Sequence, residues 1–224
     1  MKLLLFVVAL SCSIALHAQD CIGYYFLQAN KTIEMSIKNK KGDQNGKQVY
    51  TVSNVNESGG ITTADLETEM FDKKGKTITK SKATIKCDGG VMMVDMKMSM
   101  PTQPGQKDVE TDVKSSEIYI EYPKNMDVGD ALKDAKMNLE TDNNGLKQSI
   151  EMEVFDRKVE GKEKITTPAG SWDCYKISYK SKFRMKTMGI GVPMNIEGVE
   201  WFAPGFGVVK TESKHGGTEI VAIR

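Results

Sequence analysis

Between residues 32 and 100 the sequence keeps one beat: a run of alternating apolar and polar residues, then a cluster of Gly, Asn and Asp, then another run. Thr32–Lys38 places Ile33, Met35 and Ile37 on one face. A turn over Asn39–Lys47 leads to Gln48–Ser58, and Gly59-Gly60 leads to Ile61–Phe71. Asp72-Lys73-Lys74-Gly75-Lys76 has the composition of a hairpin loop, after which Thr77–Cys87 turns through Asp88-Gly89-Gly90 into Val91–Met100. Period-two alternation broken by turn residues at this spacing specifies antiparallel strands. The beat resumes later, at Glu117–Tyr122, Gln148–Val159, Glu163–Thr167, Trp172–Lys186, Met194–Phe202, Val208–His215 and Thr218–Ile223. About a dozen strands in one series predict an all-β, mainly antiparallel fold, a curved open sheet or half-barrel with little helix. Two stretches interrupt it. Pro101–Ser116 is polar and reads as a solvated connection or as a lid over a cavity mouth. Asp130–Met137 fits a short capped helix or an extended segment equally well.

Glu200-Trp201-Phe202-Ala203-Pro204-Gly205-Phe206-Gly207-Val208-Val209-Lys210 is the segment expected to close such a sheet. Two aromatics end one strand, Pro-Gly turns the chain, and a third aromatic opens an apolar strand. At the other terminus, Lys2 and the apolar run from Leu3 to Leu16, with Ala18 following, read as a secretory signal over 1–18. The remaining 19–224 is expected to form a single β-rich domain, exported from the cytoplasm. Ala9-Leu10-Ser11-Cys12 loosely resembles a lipobox but sits too early in the leader. Of the cysteines left after cleavage, Cys21 and Cys87 come to one rim when strand reversals are counted, so they are the expected disulfide, with Cys174 free. Lysines and acids are interspersed and the net charge is +1, which argues against nucleic acid and against a polybasic membrane patch.

Little in the sequence points to catalysis, and no enzyme activity or cofactor is expected. His17 lies in the leader, so only His215 remains for a metal centre or a catalytic triad. Gly189-Ile190-Gly191 lacks the strand-to-helix context of a phosphate loop, and no two carboxylates stand out as an acid–base pair. Methionine is the unusual feature. Val91–Met100 as a strand puts Met92, Met96, Met98 and Met100 on one face. Thioethers select Cu(I), so Met96, Met98 and Met100 form an alternative copper site. Met35, Met70, Met152, Met185 and Met194 recur on other strands, which favours methionine as an adaptable lining.

A curved sheet with an apolar face and few helical residues must cover that face with something else. Met92, Met96, Met98, Met152, Tyr175, Ile177 and Phe183 are the expected lining of a hollow, with Trp201 and Phe202 at its closed end. A lipid, a lipidated segment or an apolar peptide is the expected ligand. Pairing of exposed sheet edges with another envelope protein is the further possibility.

Three stretches also carry a resemblance: Cys21-Ile22-Gly23-Tyr24-Tyr25-Phe26, Thr167-Pro168-Ala169-Gly170-Ser171-Trp172-Asp173-Cys174-Tyr175-Lys176-Ile177, and the Glu200–Lys210 hairpin. Together they resemble the TapB-like exported proteins of Gram-negative bacteria. That group is similar to a larger domain family of unknown function with an open β half-barrel, the shape of the LolA and LolB lipoprotein carriers. The resemblance implies an exported curved sheet, in the periplasm or associated with the outer membrane of a Gram-negative bacterium, that holds something apolar, and it implies no catalytic residues.

Overall fold

Thirteen antiparallel strands form one continuous sheet that curls into a nearly closed barrel. A computed structural model describes residues 21, 23–99, 118–143, 146–187, 190, 191 and 193–224. The amino-terminal leader, Cys12, Met100 and the 101–116 stretch therefore lie outside the described residues. Two meanders build the sheet. β1 (Thr32–Asn39), β2 (Gln44–Ser58), β3 (Ile61–Asp72), β4 (Thr77–Asp88), β5 (Val91–Asp95) and β6 (Tyr119–Tyr122) follow one another on one side. β9 (Leu146–Thr167), β10 (Gly170–Thr187), β11 (Pro193–Ala203), β12 (Gly207–Ser213) and β13 (Gly216–Ile223) form the other. They join where β1 pairs with β13, from Ile33 opposite Ile223 to Asn39 opposite Gly216. β7 (Ala131–Leu132) and β8 (Ala135–Asn143) both pair with β9 and finish the far edge.

No α-helix is present among the described residues; a one-turn 3-10 segment at Tyr25–Leu27 and another at Met96–Ser99 are all that departs from strand and turn. The Asp130–Met137 segment, open between helix and strand in the sequence, is extended: it contains β7 and the start of β8. Asp130 instead closes a turn by accepting the Asp127 N–H at 2.8 Å. The long Val91–Met100 strand is corrected as well. β5 stops at Asp95, whose carboxylate accepts the Lys97 N–H at 2.9 Å and pairs with Lys97 Nζ at 3.2 Å. An aspartate that binds the backbone two residues on favours a turn over a continued strand.

β9 is one strand where the sequence suggested two, and its alternation is not uniform. Met152 and Val154 are buried on even positions, Arg157 and Val159 on odd ones. The register against β10 slips between Ser178 and Lys180, and Asp156 sits at φ 50° in that bulge. An extra residue in one strand of a pair switches which side chains point inward. The bulge is what turns Arg157 into the barrel.

Reversal by reversal, the β2–β3, β4–β5, β9–β10 and β11–β12 turns share one end of the barrel, and the β1–β2, β3–β4 and β12–β13 turns share the other. The Tyr24–Leu27 leader plugs the first end. Tyr25 N–H reaches Gly205 O at 3.2 Å, and Tyr25 Oη donates to Arg224 O at 2.8 Å. Phe26 packs edge-on against Phe206 at 5.9 Å and Tyr50 at 5.9 Å, and Tyr25 stacks on Phe206 at 5.3 Å. Gly207 permits this. Its φ is 132°, and a Cβ there would come within 3.0 Å of the Phe26 ring. The Cys21–Cys87 disulfide fastens the plug to the end of β4, with Cα atoms 5.7 Å apart, and Cys174 is free and buried.

The bridge closes a loop of 66 residues in sequence separation. Loop-closure entropy for that length is worth about 4 kcal/mol. Replacing Cys21 and Cys87 together by serine is expected to lower the urea-unfolding free energy by about 2–5 kcal/mol. Equilibrium denaturation under oxidising conditions measures it, and an unchanged midpoint would mean that packing alone holds the plug.

Candidate functional site

The inner faces of the strands do not meet across the barrel. They surround a half-open hollow of about 510 Å³. Met35, Met70, Met92, Met98, Met152 and Met194 all line it, contributed by six different elements. Phe26 and Tyr50 face it from the plugged end, and Ile85, Val94, Ile120, Val154 and Val208 fill the walls between. At the opposite rim the lining includes exposed Met194 and His215 beside the β12–β13 turn, so the hollow meets solvent there. A cavity of this size falls in the range of small-molecule sites.

One wall is polar. Glu200 of β11, Tyr122 of β6, and Tyr179 and Ser181 of β10 belong to the lining. Glu200 accepts a hydrogen bond from Tyr122 Oη at 2.9 Å and another from Arg157 Nη2 at 3.3 Å. Arg157 is fully buried at its side chain. Its Nη1 donates to Glu121 O at 2.9 Å and to Lys133 O at 3.2 Å, and its guanidinium lies 4.8 Å over the Tyr122 ring. Nε finds no acceptor among the described residues. β6 and β8 are the two edges of the sheet and share no ladder, so Arg157 is the side chain that binds the β6 backbone to the β7–β8 connection. Tyr122 completes the seam by stacking on Phe202 at 4.6 Å.

Burial governs the titration of this cluster. Desolvation pushes the Glu200 carboxyl above its ordinary value, although Arg157 and the Tyr122 hydroxyl pull the other way. Tyr122 is raised well above the usual phenol, first by desolvation and then by the Glu200 charge. Tyr179 is pushed up to about 12 by burial and by Glu200. Gly198 lies opposite Tyr179 on β11, and a Cβ there would fall 2.7 Å from the Tyr179 hydroxyl, so glycine lets the ring lie across the sheet.

The residues named from sequence separate into three groups. Met92, Met98 and Met152 line the hollow. Met96, Ile177 and Phe202 are buried in the surrounding core. Tyr175 and Phe183 are half-buried, with Tyr175 Oη accepting the Met126 N–H at 3.2 Å. Trp201 does not share the Phe202 wall, because successive residues of a strand face opposite sides. It lies outside, with Lys176 Nζ at 5.7 Å and Lys210 Nζ at 4.8 Å from its ring, and its Nε1–H donates to Glu163 at 2.6 Å. The lysine stems cover the indole so that it is only 5% exposed. The alternative copper residues do not form a strand face: Met96 and Met98 belong to the turn after β5, and Met100 lies outside the described residues. Cys174 is free and buried, and burial pushes its thiol up to about 12, which disfavours the thiolate that reactive cysteines need. No group of three or more His, Cys, Asp or Glu suited to a metal ion occurs among the described residues.

Arg157 and Glu200 were missed. Each sits in a run that reads as an ordinary solvated strand face. The available signal was the parity break between Val154 and Val159, which requires a bulge and turns the intervening arginine inward.

The family model described as DUF3108-like matches residues 28–222. Among solved structures, a protein of Bacteroides fragilis inferred to be exported, with a YmcC-like fold, superposes with a TM-score of 0.69 at 22% identity, covering 88% of this chain and 96% of that one. An inferred lipoprotein of Parabacteroides distasonis superposes with a TM-score of 0.70 at 21% identity, again over 88% of this chain and 96% of that one. No curated protein matches the sequence.

Breaking a buried ion pair typically costs 3–5 kcal/mol, so Arg157→Met is expected to destabilise by about that amount in urea melts. Trp201→Ala removes a buried indole and is expected to cost about 3–5 kcal/mol in the same assay. Glu200 adds a pH dependence. Its folded value is raised, so its stabilising contribution is fully present below the ordinary carboxylate range and is lost as pH rises through the raised value. The stability of wild type relative to Glu200→Gln is therefore expected to fall as pH increases; a gap that widens with pH would mean that Arg157 outweighs desolvation.

Proposed function

The chain belongs to the DUF3108-like family, and we propose that it is an exported, non-enzymatic envelope protein that holds an apolar ligand in its hollow. One observation carries the reading. A sheet of 13 strands closes around about 510 Å³ that its own side chains leave unfilled, and the walls are chiefly methionine, aliphatic and aromatic. Packed interiors do not ordinarily leave such a space. Methionine walls also adapt to ligands of varied shape. Lipid, a lipidated segment or an apolar peptide fits that chemistry, as it would in a carrier of the LolA type. The amino-terminal apolar run supports export, as do the descriptions of the two structural neighbours.

The candidate site binds by exclusion of water and by shape. Ligand enters at the rim near Met194 and His215, passes the methionines, and stops against Phe26 and Tyr50 at the plugged end. None of these steps moves a proton or breaks a bond, which is why no enzyme activity is assigned.

Native mass spectrometry of protein purified from its own envelope without detergent tests the reading. A co-purifying mass in the lipid range is expected. The environment-sensitive dye N-phenyl-1-naphthylamine should bind saturably, and Met152→Trp, which fills the hollow, should weaken it at least tenfold without lowering the melting temperature. A clean protein mass with no dye binding would overturn the proposal. A copper adduct would point instead to thioether coordination, and a stoichiometric protein partner to sheet-edge pairing.

A further inference from the structure

The hollow is graded along its length. Met194 lies at the mouth of β11, and Glu200 lies six residues further in, about 20 Å along a strand. Between them, Ser181 and Tyr179 step down β10 opposite Ile196 and Gly198, bringing two hydroxyls along the wall that leads to the carboxylate. Apolar residues flank this polar track, and other polar side chains of the lining, among them Gln48, Thr211 and Thr218, belong to other strands.

The charge at its inner end is one-sided. The Arg157 side chain is 0% exposed, with its Nη atoms turned to the Glu121 and Lys133 carbonyls and to Glu200, so no positive charge faces the hollow there. The Glu200 side chain retains 11% exposure and lines the space. Lys38 of the lining stands at the mouth, where it is paired with Glu219. A carboxylate or phosphate driven to the inner end would meet Glu200, whose pairing cation Arg157 lies outside the lining, and would lose its water with no cation facing it. A hydroxyl, an amide or an ammonium would meet an acceptor and two hydroxyls.

We infer that the hollow selects amphiphiles that enter head-first, with a neutral or cationic hydrogen-bond donor seated at Glu200 and the apolar tail running back past the methionines to the mouth. This rests on the reading that the hollow is a ligand site, and it names the chemistry of that ligand. Glu200 keeps lone pairs beyond its bonds to Tyr122 and Arg157, and a buried acceptor favours a partner that donates over one that does not.

Displacement of N-phenyl-1-naphthylamine from wild-type protein by dodecylamine, dodecanol and dodecanoate, each below its aggregation threshold, tests it. Dodecylamine and dodecanol are expected to displace the dye at concentrations at least tenfold lower than dodecanoate. Glu200→Gln is expected to erase most of the amine-over-carboxylate preference. Tyr179→Phe, which keeps the ring and removes the hydroxyl, should weaken dodecanol several-fold and provides the test if Glu200→Gln does not fold. A dye that never binds would remove the hollow as a ligand site and this inference with it. A dye that binds but is displaced best by dodecanoate, or a preference unchanged in both variants, would remove the head-first inference alone.

Discussion

The barrel depends on a cation held out of water. β6 has four residues and among the described residues pairs with β5 alone, so the sheet reaches its last edge with little ladder to secure it. Arg157 supplies what hydrogen-bonded strands would have supplied. It takes the Glu121 carbonyl on one side of the gap and the Lys133 carbonyl on the other, and its charge is balanced by Glu200. Removing a guanidinium from water is costly, and a buried ion pair seldom adds net stability over an apolar substitute. Its value lies in specification. A fork of fixed geometry accepts one relative placement of two strand edges, whereas leucine or methionine would tolerate several.

That closure also explains why the interior stays partly empty. Barrels of many strands enclose more cross-section than their own side chains fill. A helix would normally cover a surplus apolar face, and none is available among the described residues. Aromatic residues fill the plugged end, where Tyr24 packs against Phe202 and Phe26 against Phe206. Further along, the walls are made of long thioether chains that reach inward without locking together. A rigid end and a compliant middle follow from the choice of side chain at each level.

The succession of antiparallel strands and the disulfide were legible because both follow from period two and from counting reversals. Ile33, Met35, Met152 and Val154 announce their inward face in any alternating register, and Gly59-Gly60 or Pro204-Gly205 can hardly be anything but turns. Local chemistry that competes with the period was harder to see. Asp95 ends β5 by binding the backbone of Lys97, so Met96 and Met98 leave the strand that their spacing suggested. Trp201 and Phe202 are neighbours in sequence and lie on opposite sides of the sheet. The polar wall was invisible for a deeper reason. Arg157 and Glu200 are 43 residues apart, and each is charged, so nothing short of the three-dimensional register identifies them as partners.

The Cys21–Cys87 bridge has a consequence for traffic. A covalently stitched stopper cannot swing aside, so among the described residues the vessel opens toward the rim at Met194 and His215. On the proposed reading, a guest would back out along the path by which it came, and a donor and an acceptor would use that threshold in turn.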